Sequence, residues 1–159
     1  MTLDLPALIR RPTWSKDVCV WIGTEATLGK ALEGEKHELL DLLDLLRPDE
    51  DMPTDEAGRA GVMESRLDSH LQTLKESLAG RLVLVVDNAA LLARYRVGLK
   101  PFYDWFGSDR RMTILTLASE TQFRIPLHLQ RDVKCDCTAT VEYLTSCLVN
   151  PRLVFREKP

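Results

Sequence analysis

Two stretches of the chain carry residues of types and spacings that could do chemistry. The first is the apolar run Leu82-Val83-Leu84-Val85-Val86 followed by Asp87 and Asn88. A carboxylate delivered at the end of such a run can hold a nucleotide-bound Mg²⁺. Open α/β sheets place ligand groups at the carboxyl ends of their strands. The second is Gly23-Thr24-Glu25-Ala26-Thr27-Leu28-Gly29-Lys30-Ala31, which follows the apolar run Val18-Cys19-Val20-Trp21-Ile22. A glycine after a strand and a Gly-Lys pair at a helix start are parts of a phosphate cradle. There backbone N–H groups surround phosphate, the lysine reaches the outer phosphates and a following hydroxyl holds Mg²⁺. Gly23, Gly29, Lys30, Asp87 and Asn88 therefore form the candidate cofactor site for ATP or GTP with Mg²⁺, with Asp87 as the candidate metal residue through water.

The phosphate stretch departs from the motif twice. Five residues separate Gly23 from Gly29 where the motif has four, and Ala31 stands where the hydroxyl belongs. A purely structural reading competes at both stretches: Thr24 or Thr27, and Asp87-Asn88, are good residues to cap the helices that follow. Thr116 and Ser119, after the next apolar run, are candidates for a polar sensor position, with a loop cap as the alternative.

A third group is basic and aromatic. Arg94, Arg96, Lys100, Arg110 and Arg111 are interleaved with Tyr95, Tyr103 and Trp105. Arginines and large aromatics are enriched at protein interfaces, and the same mixture can contact phosphates and stack bases. Arg94, Arg96, Tyr103, Trp105, Arg110 and Arg111 are the candidate partner-binding residues, for other protein subunits or for nucleic acid, with solvated helix faces as the plain alternative. Arg110 or Arg111 could also reach a neighbouring copy's phosphate in an oligomer. Trp105 lies three positions from Phe102 and Tyr103 lies off the Leu99–Phe102–Phe106 stripe, so at least one of the two is expected at the surface. His128, Cys135, Cys137 and Cys147 are of metal-ligand type. The one-residue gap between Cys135 and Cys137 matches neither zinc spacing nor a redox pair, and no zinc is expected.

These residues need strands and helices to position them. Runs 18–22, 82–86 and 112–117 read as buried strands of a mostly parallel sheet. A final strand is expected near 152–156, and 123–129 reads as extended. Leu3, Leu5, Leu8 and Ile9 give one face of a short helix ended by Pro12. From Leu28 to Leu46 the leucines and the Asp41–Asp44 spacing read as helix, with Gly34 as a break; a short strand near Leu39–Leu43 is the alternative, which the spacing of the acids disfavours. Residues 48–56 form an acidic loop. Val62, Met63, Leu67, Leu71, Leu74 and Leu78 form one stripe of a helix from about Glu56, capped by Thr54 or Asp55. Gly98 is expected to close one helix and Pro101 to open the next. The expected architecture is a three-layer α/β sandwich, with residues 1–16 as a lead-in and 17–159 as a single domain.

The chain has 159 residues, 28% charged and 45% hydrophobic, and a net charge of -3. That suits one soluble globular domain and carries no general signal for nucleic acid or an anionic membrane. No apolar segment approaches membrane-spanning length, the first residues make a poor signal peptide, and four cysteines are too few for a disulfide scaffold. A cytoplasmic location is expected.

Asp87-Asn88, Leu91-Leu92, Leu99, Pro101 and Asp109-Arg110-Arg111 before a strand resemble the small P-loop protein of BREX phage-defence systems, over roughly residues 82–117. The resemblance implies a P-loop NTPase-like domain acting as an accessory subunit of a prokaryotic multiprotein system. The family carries an intact phosphate loop, which residues 23–31 do not match. Asn88 also stands where many ATPases of this class place the glutamate that orients water. Weak or absent hydrolysis is the consequence. The alternative is a non-enzymatic adaptor working through the surface at 94–111.

Overall fold

A computed structural model describes residues 4–14, 17–46, 52–105, 110–117, 122–124 and 134–157. Its centre is a five-stranded, all-parallel sheet built from β1 (Val18–Ile22), β2 (His37–Asp41), β3 (Leu82–Asp87), β4 (Arg111–Leu117) and β7 (Val154–Arg156), in the order β2-β3-β4-β1-β7. A separate two-stranded antiparallel ladder joins β5 (Gln122–Arg124) to β6 (Lys134–Asp136). The side chains of these two strands are outside the described residues.

The three strands expected from apolar runs all form, and each is paired on both sides. Parallel strands covered on both faces have no polar side to show, which is why β1 and the first five residues of β3 are buried without alternation. Their side chains still sort by the two-residue period. Val18, Val20, Ile22, Leu82, Leu84 and Val86 enter one core; Cys19, Trp21, Val83 and Val85 enter the other.

The first core is closed by α3 (Leu42–Leu45), α4 (Glu56–Ser77), α5 (Ala90–Arg94), α6 (Lys100–Asp104) and α7 (Cys137–Cys147), through residues such as Leu42, Met63, Leu67, Leu71, Leu92, Phe102 and Leu144. The second is closed by α1 (Leu5–Ile9), Trp14 and α2 (Glu25–Ala31), through Leu5, Leu8, Ile9, Leu28 and Leu32. Three layers result. The first residues of the chain are tied in by Arg81. Its guanidinium lies 3.7 Å from the Trp14 ring centroid, donates to Ile9 O and Pro12 O, and pairs with Glu35 at 3.0 Å.

The stretch 28–46 differs from its helical expectation. Helix α2 ends at Ala31, Gly34 turns the chain at φ +82°, and His37–Asp41 pairs in parallel with β3. Pairing with β3 outweighs the helical spacing of the acids. Asp41 then caps α3, accepting from Leu43 N at 2.9 Å. Of two smaller features, the cap of α4 is one of the two residues expected, and the turn after α5 differs from expectation. Asp55 caps α4 by accepting from Gly58 N. Arg96, at φ +57°, makes the left-handed turn after α5 that was expected of Gly98.

Candidate functional site

The carboxyl ends of β1, β2, β3 and β4 bring together Thr24, Asp41, Asp87 and Thr116. The site has two halves.

The first lies at the end of β1. Gly23 continues the sheet by donating its N–H to Leu117 O at 3.1 Å. A Cβ at Gly23 would stand 2.6 Å from Trp21 Cζ2 and 2.8 Å from Glu157 Cβ, so glycine is required by packing. Thr24 caps α2 at once. Its hydroxyl accepts from Thr27 N at 3.3 Å. The chain makes no loop between strand and helix: Gly29 and Lys30 lie inside α2, both exposed. Residues 25 to 30 are therefore helical, and the loop that the phosphate motif would make between Gly23 and Lys30 is replaced by the first turns of α2. The capping role of Thr24, weighed as the structural alternative, is the one the fold uses.

An anion does sit at this helix start, and it belongs to the chain. The β1–β7 ladder places Arg156 beside Ile22, and Glu157 N then donates to Ile22 O at 2.9 Å. Glu157 Oε2 accepts from Thr24 N at 2.9 Å, and Oε1 accepts from Thr24 Oγ1 at 3.0 Å and from Thr27 Oγ1. Those hydrogen bonds, Thr27 first, hold the Glu157 carboxyl below the usual range. No motif spacing could have revealed this residue, because it stands 133 positions from Thr24.

The second half lies at the ends of β3 and β4. Asp87 is half-buried and closes β3. Thr116 Oγ1 lies 2.8 Å from Val86 O and 3.0 Å from Asp87 Oδ1, and its single proton is shared between them. Burial pushes the Asp87 carboxyl above its ordinary value. The Thr116 hydroxyl opposes this, and the charges of Glu25 and Asp41 add to it. Asn88 takes a left-handed conformation at φ +60°, which asparagine tolerates. Its Nδ2 donates to Asp41 Oδ1 at 2.7 Å, tying β2 to β3. Neither Asp87 nor Asn88 caps α5: the cap position is Ala89, without a side-chain bond. Ser119, the other sensor candidate, lies outside the described residues. Among the described residues no cluster of three or more His, Cys, Asp or Glu is arranged for a metal. Of the zinc candidates, His128 and the side chains of Cys135 and Cys137 lie outside the description.

The basic-aromatic group is dispersed. Trp105 is fully buried and donates from Nε1 to Thr113 Oγ1 at 2.8 Å. Arg111 is 6% exposed, lies 5.1 Å from the Trp105 ring centroid and donates to Leu78 O. Trp105 and Arg111 are thus interior, which removes them from the expected surface; the indole N–H and one guanidinium nitrogen find partners, whereas Arg111 Nη1 is buried without one among the described residues. Tyr103 is half-buried, with its hydroxyl accepting from Val149 N at 2.8 Å. Arg94, Arg96 and Arg110 are exposed. Arg96 faces Glu56 at 3.7 Å and the Tyr143 ring at 5.4 Å. Among the described residues no helix is long and apolar enough to cross a membrane.

No family model, curated protein or solved structure matches the chain.

Proposed function

We propose that this chain is a P-loop NTPase-like accessory domain that has given up nucleotide turnover and serves as a binding subunit in a multiprotein system, of the phage-defence kind that its resemblance implies. One observation carries the reading: the Glu157 carboxylate occupies Thr24 N, Thr24 Oγ1 and Thr27 Oγ1, where a phosphate would have to bind. A second anion brought there would meet like charge and displaced hydrogen bonds. The residues do not fit a nucleotide at this end.

The P-loop-like part of the reading is supported by the order of the strands. β4 lies between β1 and β3, so a polar residue at its end stands between the phosphate side and the acid side. Thr116 has that place and touches Asp87.

Isothermal calorimetry with ATP and GTP plus Mg²⁺, on wild type and Lys30→Ala, tests the reading. Neither protein should give saturable heat at millimolar nucleotide. Saturable binding by wild type that Lys30→Ala removes would overturn it. The partner is reached by pull-down from the native host with and without nuclease; a protein partner survives nuclease and a nucleic acid does not. Salt distinguishes them too, because phosphate contacts weaken steeply as salt rises.

A further inference from the structure

β2 is the edge of the main sheet, and among the described residues no strand pairs with its outer side. Val83 N donates to Lys36 O at 3.0 Å, so in a parallel ladder residues 36, 38 and 40 turn their backbone groups to β3. His37, Leu39 and Asp41 turn theirs outward. Leu39 is 58% exposed, because α1 and α2 cover the inner strands on its face and stop short of β2. His37-Glu38-Leu39-Leu40-Asp41 has no proline and no lysine; Glu38 and Asp41 are its charged residues, and of these only Asp41 lies among the outward-turned positions.

We infer that β2 is a self-association edge, pairing antiparallel with β2 of a second copy across a two-fold axis through Leu39. The sequence of the strand is self-complementary in this register. Leu39 faces the partner copy's Leu39, and His37 faces the partner copy's Asp41, so an imidazole meets a carboxylate twice and an exposed leucine meets itself. The outward residues 37, 39 and 41 are those that form the hydrogen-bonded pairs of an antiparallel ladder, so backbone and side-chain complementarity coincide. A two-fold contact of this kind closes at a dimer. It joins two five-stranded sheets into one. An edge five residues long makes a small interface, so the dimer is of the weak, exchanging class.

The test is sedimentation equilibrium of the full chain up to hundreds of micromolar, with far-UV circular dichroism confirming that each variant is folded. Wild type should approach a dimer. Leu39→Lys should raise the dissociation constant at least about tenfold, since it sets two ammonium groups face to face at the axis. His37→Asp should weaken the dimer comparably by opposing Asp41, and His37→Lys should leave it within about twofold of wild type. A monomer throughout the range, a dimer indifferent to Leu39→Lys, or equal effects of Lys and Asp at position 37 would each overturn the inference.

Discussion

The two halves of the carboxyl-end site have met different fates. At the end of β1 Glu157 supplies an anion, whose carboxylate accepts three hydrogen bonds from Thr24 and Thr27, and its backbone N–H donates to Ile22 O. At the end of β3 the Asp87 carboxylate is half-buried, and among the described residues no cation pairs with it. Asp87 keeps one hydroxyl and two nearby like charges, Glu25 and Asp41. The carboxyl shifts follow: Glu157 is lowered by its hydrogen bonds, and Asp87 is raised by burial. Two carboxylates at neighbouring strand ends can thus be satisfied on one side and left under electrostatic tension on the other, and the directions of the two shifts distinguish the cases.

The contrast can be broken most strongly at Gly23. Gly23→Ala forces a methyl into Trp21 and the Glu157 stem, and a loss of about 2–3 kcal/mol in chemical denaturation is expected. Next is Thr116→Val, which removes the hydroxyl from Val86 O and Asp87. A loss of about 1 kcal/mol is expected, with the Asp87 carboxyl moving further up in an NMR pH titration.

Asp87→Asn should act in the opposite sense and stabilise. A carboxyl whose folded pKa is raised opposes folding above that pKa, and the opposition fades as pH falls through it. At neutral pH the gain is a few tenths to about 1 kcal/mol, because water screens a half-exposed group. It should shrink as pH falls through the raised Asp87 range. The smallest effect is at Glu157. Its lowered carboxyl stabilises the fold above the unfolded carboxylate range, and that contribution is lost as pH falls through the lowered folded value. Glu157→Gln should therefore flatten the acid limb of Tm against pH, where Asp87→Asn steepens it. Identical Tm–pH curves for the two variants would erase the contrast.

The strands that hold the site were legible for a simple reason. β1, β3 and β4 are interior strands of a parallel sheet, and burial on both faces writes itself as an unbroken apolar run. Strand β2 was legible only as the weaker alternative to a helix. It is an edge with an exposed Leu39, and its acids serve β3 and α3 through Asp41, so its pattern matches no strand period. Asp87 and Thr24 were visible as residues at strand ends, whereas Glu157 reaches the site only through the β1–β7 pairing. Trp105 and Arg111 looked like surface because their types are common there; their partners, Thr113 Oγ1 and Leu78 O, come from other elements.

The occupation of the α2 start by Glu157 is tested most directly at the Thr24 amide, which reports the Glu157 bond through its ¹H–¹⁵N resonance. The resonance should follow Glu157 as pH is lowered and should stay in place when ATP and Mg²⁺ are added to millimolar concentration. A saturable shift of the Thr24 and Thr27 amides on adding nucleotide, with no response to Glu157→Gln, would contradict it.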